Sequence, residues 1–196
     1  MLKFLSKRGG LLKALDLWDW YESLTSEYRK KFRHYYELKC KKDLKFPYRA
    51  FQLERGNVST LYTKRTFLGT IAQISMLEGD LEFAGWLYRE ALKMEGTPYE
   101  EHLILNDLIV LSQRRKDFED MERFAEKDIR LFKDYKEELF IRCKDTKPMV
   151  NSFSIYIYVL ERKGRREEAL QILNYALSEG VYIPFSDDIR RRLTKS

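Results

Sequence analysis

The sequence is poor in the residues that make tight turns and cross-links. Its 196 residues include four prolines, nine glycines and two cysteines. A strand-rich fold needs many Gly- and Pro-built turns, so this composition disfavours one. Cys40 and Cys143 stand far apart and form no disulfide framework, which makes a reducing cytoplasm the expected setting. No apolar run approaches the roughly 18 residues that a membrane span requires. The opening MLKFLSKRGGLLKALDLW has early lysines, but Ser6, Lys7, Arg8, Gly9 and Gly10 interrupt any signal-like apolar core. Leu11, Leu12, Leu15 and Trp18 have helical spacing and would suit either a membrane surface or, more simply, the next helix. The sequon Asn57-Val58-Ser59 matters only in a secreted chain, and nothing else points to secretion.

Signatures of chemistry are missing as well. His34 and His102 are the only histidines. Neither has a second histidine at zinc-site spacing, and each reads as structural. Neither cysteine lies in a CxxC context, and Gly9-Gly10 starts no phosphate-loop spacing. The carboxylates scatter over solvated faces, with no pair set apart for acid–base work. The expectation is a non-catalytic chain with no cofactor and no metal.

What the sequence does contain is enough apolar material for a core, at 44%, and 35% charged residues, a proportion that long solvated helix faces absorb. The net charge of +6 is unevenly spread. Residues 1–60 hold 14 Lys and Arg against 7 Asp and Glu, residues 61–132 hold 10 against 14, and residues 133–196 hold 13 against 10. Helix signals follow one another along the chain. Helices are expected over 11–23, from a Thr25 or Ser26 cap to Lys42, over 48–54, and from a Ser59 or Thr60 cap to Glu78. The clearest start is Thr97-Pro98-Tyr99-Glu100, a capping box with proline at the first helical position, which opens a helix to about residue 115. Further helices are expected over 118–132, 134–143, 149–163, 166–179 and 187–194, the last capped by Ser186. Segment 153–160, though β-branched and aromatic, reads as a buried helix.

Two stretches superimpose without a gap. Leu68, Ile71, Ala72, Ser75, Gly79, Ala84, Tyr88 and Ala91 match Phe153, Tyr156, Ile157, Leu160, Gly164, Ala169, Leu173 and Ala176. Between them, Leu105, Leu108, Ile109, Ser112, Lys116, Met121, Ala125 and Asp128 fit the same frame less well. Small residues let paired helices approach, and the glycine turns the chain between them. This pattern resembles the tetratricopeptide repeat, over about 64–96, 101–133 and 149–181. The last unit also resembles a pentatricopeptide repeat, through Gly164-Arg165-Arg166-Glu167-Glu168-Ala169-Leu170. The resemblance implies an all-α, right-handed superhelical solenoid of antiparallel helix pairs. Residues 1–58 would be a basic helical region packed on it, and 59–196 the repeat region with a C-terminal capping helix. Departures are an insertion around 134–148, Lys116 at the usual glycine and Asp128 at a usual alanine.

The resemblance also implies a ligand groove along the first helix of each pair. Carried over by position, the groove presents Gln73, Asn106, Gln113, Arg114, Asn151, Ser154, Tyr158 and Arg162, which could hold the backbone of an extended peptide. The expected function is a peptide- or protein-binding adaptor, with Asn106, Asn151 and Arg162 contributing most. The competing expectation is RNA binding by Arg29, Lys30, Lys31, Arg33, Lys41 and Lys42, whose cations alternate with Tyr28, Phe32, Tyr35 and Tyr36 and could meet phosphates and bases. A plainer reading of that helix puts its rings inside and its lysines in water. Arg190-Arg191-Arg192 reads as a solvated last turn that complements its helix dipole. Self-association through the solenoid is a third expectation.

Overall fold

The computed structural model describes residues 8–144 and 146–194. Ser6 and Lys7 of the opening segment lie outside the described residues. Among those described, the chain is all-α, with ten α-helices, one 3-10 turn and no strand. No helix among them is long and apolar enough to cross a membrane. The chain forms two compact units, residues 1–96 and 97–196.

The first unit contains α1 (Gly10–Ala14), α2 (Trp18–Ser23), α3 (Ser26–Lys42), a 3-10 turn at Ala50–Leu53, α4 (Lys64–Leu77) and α5 (Leu81–Lys93). The helix expected over 11–23 is broken in two, because Asp16 adopts the left-handed conformation with φ 49°. Leu11, Leu12, Leu15 and Leu17 are all buried, so this segment packs inward and offers no apolar face to a membrane. The glycine pair before it has a structural purpose. Gly9 N–H donates to Glu54 O at 3.2 Å and Gly10 N–H to Gly56 O at 2.8 Å. Gly10 has φ 66°, and a Cβ there would lie 2.5 Å from Leu53 O, so only glycine fits.

Thr25 caps α3 by accepting the Tyr28 N–H at 3.2 Å. α4 starts later than expected, after Thr63 rather than Ser59 or Thr60. The Thr63 hydroxyl accepts the Thr66 N–H at 3.1 Å and the Thr66 hydroxyl accepts the Thr63 N–H at 3.0 Å, satisfying two otherwise orphaned donors. α4 and α5 pack along each other, with Ala72, Ala84 and Ala91 fully buried between larger neighbours. Gly79 turns the chain with φ 89°. Asp80 then caps α5 through the Phe83 N–H at 3.1 Å, and the same carboxylate accepts from Lys31 Nζ at 2.9 Å and Tyr35 OH at 3.1 Å. One side chain thereby joins α3 to the α4–α5 turn.

The second unit contains α6 (Pro98–Arg115), α7 (Phe118–Cys143), α8 (Asn151–Arg162), α9 (Arg166–Ser178) and α10 (Ser186–Thr194), each packed on the next. The Thr97–Glu100 capping box forms in both directions, at 3.2 and 3.0 Å. Segment 153–160 is a buried part of α8. The helices expected over 118–132 and 134–143 are one continuous helix of 26 residues. Its C-terminal half runs on to the end of α9, where Lys136 Nζ meets Glu179 at 2.9 Å and the Phe140 ring lies beside Gly180. Ser186 is the first residue of α10 rather than its cap, following a left-handed Phe185 with φ 56°. The turn between α6 and α7 has no glycine; Lys116 takes the left-handed conformation there, with φ 57°, as Gly164 does between α8 and α9 with φ 76°.

Candidate functional site: an aromatic and cationic cleft

The end of α6, the start of α7 and the middle of α8 enclose a cleft of about 520 Å3 in the second unit, lined by Gln113, Lys116, Phe118, Met121, Ile155 and Tyr158. Three local causes shape it. The left-handed Lys116 reverses the chain within two residues. Asp117 then caps α7 by accepting the Asp120 N–H at 3.0 Å, which sets Phe118 at the first helical position. Helical spacing places Ile155, Tyr158 and Arg162 along one side of α8. Phe118 is 37% exposed and Tyr158 42%, high values for rings that approach one another at 6.3 Å.

Arg162 covers both rings. Its guanidinium carbon lies 5.2 Å from the Phe118 centroid and 5.8 Å from that of Tyr158, and Nη1 donates to Tyr158 OH at 3.1 Å. Such stacking fixes a long side chain in one orientation and leaves its remaining N–H groups for a ligand. The next cations along the chain are engaged otherwise: Lys163 and Arg165 both pair with Glu122, and Arg165 also pairs with Glu168 at 2.6 Å. Glu168 holds the Arg165 guanidinium above its ordinary pKa.

Of the residues expected in a groove, the structure brings together Gln113, Tyr158 and Arg162. Arg114 is exposed on the last turn of α6, close in sequence to the cleft but not lining it. Asn106 is half-buried on α6; Asn151 and Ser154 are half-buried at the start of α8, and none of the three lines the cleft. Gln73 is exposed on α4 in the first unit. Sequence reasoning missed Phe118, Lys116 and Met121 as lining residues. A phenylalanine directly after a capping aspartate, on a helix whose buried positions begin at Met121, was the available signal.

The basic helix α3 has its rings inside. Phe32 and Tyr36 are fully buried, Tyr35 stacks on Phe83 at 5.6 Å, and Tyr28 meets Trp86 edge-on at 4.4 Å. Among its cations, Lys31 pairs with Asp80 at 2.9 Å, Arg33 with Glu54 at 2.5 Å and Lys42 with Glu78 at 2.5 Å. Arg29 is half-buried, while Lys30 and Lys41 are exposed. The C-terminal arginines are also engaged. Arg192 grips Glu161 of α8 with two bonds of 3.0 Å and Arg190 donates to Asn174 at 2.9 Å.

His102 lies in the core between α6 and α7, with Nδ1 at 2.9 and 3.0 Å from the two oxygens of Asp128 and its ring stacked on Tyr135 at 4.3 Å. Among the described residues no three of His, Cys, Asp and Glu are gathered to hold a metal ion. Cys40 and Cys143 are half-buried free thiols, and burial pushes the Cys40 thiol up, away from its reactive form.

No family model matches the chain. No solved structure matches it either. The chain is 51% identical over 194 residues to an uncharacterized protein of Aquifex aeolicus (strain VF5), a match that covers 98% of this chain and 96% of that protein. Identity at this level over nearly the full length of both makes the relation one of family: the chain belongs to the same family as the Aquifex aeolicus protein.

Proposed function

We propose that the chain is a non-catalytic adaptor that binds a peptide segment of a partner protein in the cleft of the second unit. In this reading the pairs α6–α7 and α8–α9 are tetratricopeptide-like units, stacked in a short right-handed array, and the chain works in the cytoplasm. The observation that carries the proposal is Arg162 stacked over the exposed Phe118 and Tyr158 at the mouth of an apolar cleft. Exposed aromatic rings and a pre-ordered arginine are the residue types that anchor protein interfaces, because they contribute large contact area for little lost side-chain freedom. RNA binding by α3 has less support: its rings are packed in the core, and Lys31, Arg33 and Lys42 already meet carboxylates.

The test is panning of the intact chain against a random heptapeptide library, alongside a gel-shift titration with mixed RNA at two salt concentrations. Enriched peptides that the Tyr158→Ala chain no longer retains are the expected result. Failure to enrich any peptide, together with a salt-sensitive RNA shift abolished by Lys30→Ala with Lys41→Ala, would transfer the function to the first unit.

A further inference from the structure

The cleft differs in chemistry between its floor and its rim. Met121 is buried, Ile155 is half-buried, and the two exposed rings extend the apolar surface outward. Gln113 and Lys116 line the rest, Arg162 lies over the rings, and among the described residues no carboxylate lines the cleft. Several cations elsewhere in the second unit meet acids: Lys136 with Glu179, Lys163 and Arg165 with Glu122, Arg192 with Glu161. Neither Lys116 nor Arg162 forms an ion pair among the described residues. Lys116 also holds the left-handed conformation that Gly79 and Gly164 hold at the corresponding turns. A side chain is costly in that conformation, and strain of this kind gathers at working surfaces.

Resting on the reading of the cleft as a peptide site, we infer that its ligand is an internal segment of a partner in which a bulky apolar residue is flanked by two acidic side chains. The apolar residue fills the floor between Met121, Ile155 and the rings. Arg162 presents its unused N–H groups to one carboxylate in the paired geometry that guanidinium favours, and Lys116 meets the other as a point charge. The two cations come from different elements, the α6–α7 turn and the last turn of α8, and an acidic side chain on either side of the apolar residue gives each its own partner. A stacked nucleobase fits less well, because Arg162 already covers the faces of both rings.

Fluorescence anisotropy with the whole chain tests this. The probes are four labelled, amidated heptapeptides of Gly and Ser with a central Asp-Phe-Asp, Asn-Phe-Asn, Asp-Ala-Asp or Lys-Phe-Lys, a random heptapeptide pool with a fixed central Phe, and a labelled ten-nucleotide RNA. The Asp-Phe-Asp peptide is expected to bind, and the Asn-Phe-Asn and Asp-Ala-Asp peptides to bind about tenfold more weakly or worse. Arg162→Gln and Lys116→Gln, both at exposed positions, should each weaken Asp-Phe-Asp several-fold more than they weaken Asn-Phe-Asn, while the far-UV circular dichroism stays that of the wild type. Equal binding of the Asp and Asn peptides, or binding of the pool without Asp-Phe-Asp, overturns the acidic requirement while the peptide reading stands. If neither the pool nor any peptide binds, or if only the RNA binds and Arg162→Gln abolishes it, both fall.

Discussion

Asp128, fully buried on α7, accepts hydrogen bonds from His102 Nδ1 of α6 on both carboxylate oxygens, at 2.9 and 3.0 Å. Tyr135 OH donates to the same carboxylate at 3.3 Å, and burial first, then the neighbouring Asp128, pushes that phenol well above its usual range. Aspartate stands here where the repeat pattern has a small residue, so a polar bond replaces close apolar approach. Asp128→Ala would leave His102 buried without its partner. Leaving a buried donor unsatisfied costs about 1–3 kcal/mol, to be read from urea unfolding. The double variant His102→Leu with Asp128→Leu should recover part of that loss. A single Asp128→Ala that unfolds at the wild-type midpoint would mean the pair is energetically idle.

Lys116 lends itself to the opposite experiment. Glycine at this left-handed position relieves steric strain, although it loosens the unfolded chain. Lys116→Gly is therefore expected to stabilise the second unit by about 0.5–1 kcal/mol while weakening the ligand several-fold. Thermal melting and anisotropy on one preparation would check both; a destabilised variant contradicts the strain assignment.

Asp80 makes stability depend on pH. Burial alone would raise its carboxyl; the bonds from Lys31, the Phe83 N–H and Tyr35 outweigh that and hold it below its ordinary value. Burial first, then Asp80, pushes Tyr35 up to about 12. For a carboxyl depressed in the folded state, the stabilisation is complete above the unfolded value, about 3.9, and is lost as pH falls through the lower folded one. The stability difference between wild type and Asp80→Asn should thus be constant from pH 7 to 5 and shrink toward pH 2. Urea midpoints at five pH values measure it, and a difference that grows on acidification reverses the sign.

Thr97 gives a cleaner, smaller effect. Replacing it with Ala removes the acceptor for the Glu100 N–H and should cost about 1 kcal/mol. Amide exchange at Glu100 should quicken accordingly; no change at that amide would show the cap to be dispensable.

These sites differ in how far the sequence discloses them. The Thr97 box was legible because residue types at fixed spacing specify both bonds. The paired helices with their glycines at 79 and 164 were legible for the same local reason, and so was the side of α8 that carries Tyr158 and Arg162. The break at Asp16 was not, since no Gly or Pro marks it. The break expected between residues 132 and 134 does not occur, because strong helix formers and the Glu138–Arg142 pair at 2.6 Å carry α7 onward. Phe118 and Lys116 enter the cleft through a backbone turn that lysine seldom adopts, and periodicity carries no record of such a turn. The pairing of Lys31 with Asp80, across 49 positions of sequence, depends on tertiary contact that no local pattern encodes.

The length of α7 has a consequence for how the second unit melts. In an array whose repeats touch only their neighbours, terminal pairs can open alone and the transition broadens. α7 lies against α6 and α8, and its distal half also holds the end of α9 through Lys136 and Phe140. Opening α9 strips Lys136 of its partner and bares the Phe140 ring, so fraying from that end begins uphill. Cooperativity is thus written into one helix: the core amides of α6 to α9 should exchange through a common opening, with a single free energy, rather than along a gradient toward the C-terminus.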